Sequence, residues 1–297
     1  MSLKNTIKTI LSAIAKLSPK VASQVLYLMT MNRPLRLKNP KTFSEKLMKL
    51  KLDNYSHDPT VWRCVDKLQV RKYAKKKGVR EKNLPTLLGI YDNANDIDFD
   101  ILPDKFALKC THGAGFNIIC TDKSKLDEAE TVATLNKWLS TPFGLSSAET
   151  HYGKAPPSII CEAFIEGEGD SAPNDYKIYC FSGKPLYVMA CTERIGKLSK
   201  VNILDLNWQD TGYIKPSYSS NKKINPPQSL PEMLKMATKV SEEFPFVRVD
   251  FYEDKGVPIL GEMTFTPHAC VNSNMTEEGQ IELGKLIDLD YSIEKEK

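Results

Sequence analysis

The spacing of apolar positions changes part-way along the chain. Over residues 3–17, Leu3, Ile7, Ile10, Leu11, Ile14 and Leu17 recur at helical spacing with Lys4, Lys8 and Lys16 between them, which predicts an amphipathic helix. Ser18-Pro19 ends or breaks it, and a second helix runs through "KVASQVLYLMTM" to just before Arg33-Pro34. "NPKTFSEKLMKLKL" places Glu45 three residues after Thr42, the spacing of a capping box, and reads as a third helix. "TVWRCVDKLQVRKYAKKKG" reads as one more, closed by Gly78 with lysines in its last turn. The first 82 residues are therefore expected to be helical.

From residue 83 the runs shorten. "LPTLLGIYD", "FALKC", "FNIIC", "SIICEAFI", "YKIYCF", "PLYVMAC", "FVRVDFY" and "VPILGEMTF" are apolar or alternating and separated by turn residues, as strands are. Two helices, "DEAETVATLNKWL" and "SLPEMLKMATKVSEEF", interrupt them, and "KPSYSSNKKINPPQS" is a polar connection. The expected class is α+β, with antiparallel hairpins and helices on one face.

Composition narrows the partners. No apolar run approaches the roughly 18 to 20 residues that cross a bilayer, and no secretory leader is visible, so the expected location is the cytoplasm. Seven scattered cysteines without a C-x-x-C pair imply reduced thiols, with neither a disulfide framework nor a zinc site. Net charge is +4, but residues 1–82 hold 20 Lys and Arg against 5 Asp and Glu, a balance of +15. The other 215 residues hold 21 against 32, a balance of −11. Such a basic third suits an anionic polymer, nucleic acid or an anionic membrane surface, and the amphipathic first helix allows a peripheral contact at the inner face of the membrane.

The chemistry concentrates in three stretches. In "FPFVRVDFYEDKGVPILGEMTF", alternation puts Arg248 and Asp250 on one strand face and Glu262 with Thr264 on one face of the return strand. If Val249 and Met263 face the core, Asp250 and Glu262 meet on the other side. Two carboxylates about 4 Å apart repel by roughly 4 kcal/mol at an effective dielectric near 20, and a Mg²⁺ or Mn²⁺ ion reverses that sign. Arg248 beside them suits a phosphate or a developing oxyanion. "SIICEAFIEGEGD" ends a strand in exposed backbone fit for a purine edge, followed by the carboxylates Glu166, Glu168 and Asp170. "FALKCTHGAGFNIICTDK" puts Lys109 at a strand end before a glycine turn that leads into another strand. Such a turn lets backbone N–H groups approach phosphate oxygens, yet it is neither a P-loop nor a Rossmann turn, both of which open helices.

The order of these pieces resembles the ATP-grasp superfamily. "NPKTFSEKLMKLKL", "VDKLQVRKY", "LPDKFALKCTHGAGFNIICTDK", "DYKIYCFSGKP" and "RVDFYEDKGVPILGEMTFTP" are similar to its teichuronopeptide-biosynthesis (TupA-like) branch, over roughly residues 35 to 275. The resemblance implies an ATP-grasp fold: a lid subdomain over 83–165 and a core subdomain over 166–297, with the nucleotide between them. It implies that Lys109 contacts the α- and β-phosphates, that His112, Gly113 and Gly115 form the lid loop, and that Arg71 is an earlier basic phosphate contact. Glu162, Ala163, Phe164 and Ile165 match the adenine hinge, Glu168 or Asp170 the ribose contact, and Lys177 a further phosphate contact. Asp250 and Glu262 match the metal ligands and Arg248 the residue facing the transferred phosphoryl group. Thr264 stands where the superfamily has asparagine, so it acts on the metal through water or holds a second metal loosely.

The implied cofactors are ATP and Mg²⁺ or Mn²⁺, and the implied reaction is carboxylate–amine ligation through an acyl phosphate. The family also implies a role in surface or capsular polysaccharide, joining an amino acid or other amine to a uronic-acid carboxyl on a sugar nucleotide or glycan. His268, Asn272 and Asn274 are candidate acceptor contacts or ordinary loop residues. A rival reading is a polysaccharide glycosyltransferase using a UDP-sugar, disfavoured because no D-x-D-like pair lies between a strand and a loop. Nucleic-acid binding is disfavoured because it has no use for the Arg248, Asp250 and Glu262 set.

Overall fold

The computed structural model describes residues 3–166, 174–195, 198–222 and 225–291. Helices α1 (Leu3–Leu17) and α2 (Pro19–Met31) form a hairpin around Ser18, whose side chain accepts from the Val21 N–H and caps α2. Helix α3 (Phe43–Leu50) starts at the expected capping box: Thr42 accepts from the Glu45 N–H and the Glu45 carboxylate reaches back to the Thr42 N–H. A π-helical turn over Lys51–Tyr55 extends it.

The single helix expected from Thr60 to Gly78 is two, α4 (Pro59–Val65) and α5 (Gln69–Lys76). Asp66 breaks it: its backbone is extended, and its Oδ1 accepts from the N–H groups of Leu68 (3.0 Å) and Gln69 (2.8 Å). A short carboxylate at this point satisfies the orphan donors of a new helix better than it continues an old one.

The strands form two antiparallel sheets. Strands β1 (Leu87–Tyr91), β2 (Phe106–Cys110), β3 (Asn117–Cys120) and β4 (Ile159–Ala163) lie in the order β1-β4-β2-β3. Strands β5 (Asp175–Phe181), β6 (Lys184–Ile195), β7 (Leu198–Asp205), β8 (Phe246–Asp254) and β9 (Val257–Thr264) lie in the order β7-β6-β5-β8-β9. Strand β7 and the late helix α8 (Glu277–Leu286) are additions to the elements the sequence pattern named. Helices α6 (Glu128–Leu139) and α7 (Leu230–Ser241) fall where expected.

Each sheet has its own core. Leu108, Cys110, Cys161 and Ile159 of the first pack with Leu135 of α6. Val249, Phe251 and Met263 of the second pack with Phe43, Leu47 and Tyr55 from the N-terminal helices and Met233 and Val240 of α7. One face of the five-stranded sheet is thus covered by helices, and its other face carries the charged residues. The cysteines are free, and all but Cys191 are buried. Among the described residues no helix is long and apolar enough to cross a membrane.

Candidate active site

The charged face of the five-stranded sheet is built by register. Lys177 of β5 stands directly opposite Asp250 of β8, and Asp250 directly opposite Glu262 of β9. Next along the same face, Arg248 pairs with Thr264. Val249 and Met263, also paired, turn inward, so the alternation read from sequence holds. A bulge follows Asp250, where Gly261 makes room for the Tyr252 ring: a Cβ there would sit 2.9 Å from Tyr252 Cε2.

Asp250 is almost wholly enclosed by cations. Arg248 Nε donates to its Oδ1 (2.7 Å) and Nη2 to its Oδ2 (2.6 Å), while Lys177 Nζ donates to Oδ2 (2.9 Å) and to Asp175. Burial alone would raise the Asp250 carboxyl, but Arg248 and Lys177 hold it below its ordinary value. Burial alone would lower the Lys177 ammonium, but Asp250 and Asp175 together outweigh it and raise Lys177. Glu262 is raised, first by its depth in the cleft and then by the Asp250 charge, with Arg248, Lys67 and Lys177 offsetting part of this. Arg248 Nη2 also reaches Thr264 Oγ1 (3.1 Å) and Glu262 Oε1 (3.4 Å).

The four-stranded sheet supplies the facing wall. Lys109 and Glu162 lie on neighbouring strands one step apart diagonally, and Lys109 Nζ donates to Glu162 Oε2 at 2.6 Å. Lys109 pairs with Asn117 across a true hairpin, so the glycine loop joins two strands. A cavity of about 240 Å³ lies between the walls, lined by Lys67, Lys109, the 114–117 backbone, Glu162, Asp175, Lys177, Asp250, Tyr252, Gly261 and Glu262. A larger one of about 660 Å³ adjoins it on the hinge side, with Asp175 on the rim of both. Asp175 Oδ1 is buried without a hydrogen-bond partner.

Residues 45–288 match the family described as TupA-like ATPgrasp. The chain belongs to that TupA-like ATP-grasp family. Among solved structures it is similar to the D-alanine–D-alanine ligase of Bacillus anthracis, with 18% identity and a TM-score of 0.50 over 77% of this chain and 67% of the ligase. The L-amino acid ligase of Bacillus licheniformis gives 15% identity and a TM-score of 0.50 over 82% of this chain and 55% of that one. The shared feature at this identity is the ATP-grasp fold, and the chain spans about half to two thirds of the length of these ligases. Among curated proteins none matches the sequence.

The ATP-grasp assignment makes the placement of each expected residue informative. Lys109, Glu162, Gly115, Lys177, Asp250 and Glu262 come together at the cavity, with Arg248 and Thr264 behind the carboxylates. Arg71 does not line that cavity. It is buried against the hinge, donating to Pro85 O (2.7 Å) and Glu81 (3.2 Å) and lying 3.8 Å from Glu162. His112 is buried, with Nε2 3.1 Å from Thr141 O. Gly113 packs where an added Cβ would lie 2.6 Å from the Phe143 ring, and Gly115 has φ +78° with open space around it.

Along the hinge, Ala163 N–H donates to Thr86 O at 2.8 Å, Phe164 faces Lys105 Nζ at 5.8 Å, and Ile165 is half-buried. Glu168 and Asp170 lie outside the described residues. His268 is exposed, in a left-handed conformation (φ +52°), and partial desolvation, then the Arg248 and Lys177 charges, push its imidazole down to about 4. Asn272 is occupied within its own loop: Oδ1 accepts from the Asn274 N–H (3.1 Å) and its carbonyl from Gln280 (3.1 Å).

Sequence reading missed two cavity residues. Lys67 is lowered by burial and donates to the Gly113 carbonyl, tying α4–α5 to the glycine loop. It sits in the same "DKLQVR" stretch as Arg71, four residues earlier and in the break between α4 and α5, so the motif that contains it was visible in the sequence. Asp175 opens β5 and had no signal beyond the acidic run before it.

A second, buried polar network lies outside the cavity lining. Glu149 and His151 both reach the Thr266 hydroxyl, Ser147 bonds Glu149, and Lys51 Nζ donates to Ser147 O at 2.8 Å. This joins the N-terminal helices, the loop before β4 and the end of β9.

Proposed function

We propose that the protein is an ATP-dependent, ADP-forming carboxylate–amine ligase. The observation carrying this is the meeting of Lys109, Glu162 and the glycine loop from one sheet with Lys177, Asp250 and Glu262 from the other around a single cavity. Lys67, Lys109 and Lys177 are donors for phosphate oxygens, the 163–165 backbone edge serves the adenine, and Asp175, which lines both cavities, serves the ribose hydroxyls.

Glu262 presents a carboxylate open to the cleft that fits a divalent cation, and Asp250 would join it by giving up its Lys177 contact. Their donors are all oxygen, Glu262 is raised by an adjacent like charge, and Mg²⁺ takes one or two protein carboxylates plus substrate phosphates. Such an ion supplies charge neutralisation on the β- and γ-phosphates. The remaining work falls to side chains. A substrate carboxylate oxygen attacks the γ-phosphorus, the bond to ADP breaks, and Lys109 and Lys177 neutralise the charge on the departing phosphate. The amine nitrogen then attacks the acyl carbon, an amide forms, phosphate leaves with the bonding electrons, and the nitrogen loses one proton. Arg248 stabilises the tetrahedral oxyanion, and the 112–115 loop shields the acyl phosphate from water.

For substrate, the reading is a uronic-acid carboxyl of a surface or capsular glycan or its sugar nucleotide, joined to an amino acid or other amine, at the cytoplasmic face of the membrane. The basic first 82 residues support an anionic substrate. The test is thermal shift with a non-hydrolysable ATP analogue or UDP-sugars, with and without Mg²⁺, in wild type and Glu262→Gln, followed by ADP release across uronic acids and amines. Mg²⁺-dependent stabilisation by the ATP analogue that Glu262→Gln weakens supports the ligase. Stabilisation by a UDP-sugar alone replaces it with a glycosyltransferase.

A further inference from the structure

We infer that the α1–α2 hairpin is a docking surface for an anionic lipid bilayer. Of eleven exposed large hydrophobic side chains among the described residues, five lie on these two helices: Ile10 (54% exposed), Leu17 (89%), Val21 (46%), Leu28 (54%) and Met29 (52%). Ile10 and Leu17 are two helical turns apart, as are Val21 and Leu28, and Leu17 and Val21 flank the Ser18-Pro19 turn. Ile10 with Leu17, and Val21 with Leu28, therefore form one stripe on each helix, with Leu17 and Val21 nearest the bend and Met29 to one side.

The stripe is not the face that holds the hairpin to the protein. Leu11, Ala15, Ala22, Ser23 and Tyr27 are the buried positions, and Ala15 and Ala22 pack with Ala148 of the loop before β4. The hairpin is thus apolar on an inner face, which is satisfied, and on an outer one, which is not.

Charge selects the occupant. Residues 1–44 contain eight Lys and Arg and no Asp or Glu. Lys16 and Lys20 are exposed on the flanks of the stripe and Lys8 on the opposite side of α1, while Arg33 is paired with Glu277 at 2.8 Å. Leucine and isoleucine inserted at the acyl boundary, with lysine stems reaching back to headgroup phosphates, is the arrangement of interfacial helices. A second copy of this chain would bring a like-charged surface against itself, and nucleic acid has no use for an exposed aliphatic stripe. This deepens the membrane location proposed above and rests on it for that alone, since binding to lipid needs no turnover.

The test is co-sedimentation of the full chain with phosphatidylcholine vesicles, with and without phosphatidylglycerol, at low and high salt. Wild type should bind the anionic vesicles at least tenfold better than the neutral ones and lose that preference at high salt. Leu17→Asp and the Lys16→Glu/Lys20→Glu pair should each cut binding at least tenfold while leaving the ATP-analogue thermal shift unchanged, which shows that fold and nucleotide site are intact. Absence of binding to anionic vesicles, or equal binding by the variants, overturns the inference. So does a concentration-dependent dimer in lipid-free solution that Leu17→Asp dissolves, because the stripe then belongs to a second copy. Loss of the ATP-analogue shift in wild type would count against the ligase reading and leave the lipid result standing.

Discussion

Arg248 and Asp250, two residues apart on one face of β8, are joined by two hydrogen bonds of 2.7 and 2.6 Å, one to each carboxylate oxygen. The pair fixes the guanidinium plane and leaves its Nη2 to span Thr264 and Glu262. Removing one member of a buried ion pair strands the other. Arg248→Ala should lower unfolding free energy by on the order of 3 kcal/mol and reduce turnover at least about 100-fold. Arg248→Lys should recover stability in part and activity little, because an ammonium cannot make the two-pronged contact. Urea titration and ADP release measure the two separately.

Glu262 gives the opposite sign. Its carboxyl is raised above its unfolded value by burial and by Asp250, so its contribution to stability is full below the unfolded value and is lost as pH rises through the folded one. Near neutrality the ionised group is therefore a small cost to the fold, reduced because 42% of its side chain stays exposed to solvent. Glu262→Gln should melt at a higher temperature than wild type without nucleotide at pH 7.5, and should lose the Mg²⁺-dependent part of the nucleotide shift. A lower melting temperature would sink this account of the site.

Gly113 and Phe143 are in direct conflict with any side chain at 113. Gly113→Ala should lower unfolding free energy by about 1–3 kcal/mol, the usual range for overpacking, and weaken ATP-analogue binding as the loop shifts off its Lys67 contact. Gly113→Ala with Phe143→Ala should recover most of that loss. A double-mutant cycle by calorimetric titration reads the coupling.

His151 sets an acid limit. It is fully buried, and burial, then Lys51, push its imidazole down to about 3. The unfolded chain takes up a proton there below about pH 6.5, whereas the folded chain does not, so acidification favours unfolding. Between pH 7 and pH 5 this residue should account for about 2 kcal/mol of lost stability. His151→Gln should show a correspondingly flatter dependence in urea melts at the two pH values.

Local chemistry was the legible part of this sequence. The Thr42–Glu45 cap, the alternation around Asp250 and Glu262, and the lysine before a glycine hairpin are each decided by neighbours within a few residues, and each stands where the pattern put it. Register between distant strands was not legible. The row Lys177–Asp250–Glu262 depends on pairing β5 with β8, 73 residues apart at that point, and nothing local in "DYKIYCF" specifies it. Strand β7 escaped because "LSKVNILD" lies at a sheet edge, where mixed polarity is tolerated. The Asp66 break escaped because a carboxylate amid lysines reads as helix surface until its oxygen is seen capping the next helix.

The lining of the small cavity holds Lys67, Lys109 and Lys177 against Glu162, Asp175, Asp250 and Glu262, and Arg248 behind Asp250 completes the balance at four of each sign. At distances beyond about 8–10 Å, the screening length at moderate salt, these fields cancel. The cleft is therefore no electrostatic funnel. It recognises a polyanion by the order of signs along its walls, so discrimination inside the cleft depends on fit and not on a local excess of positive charge.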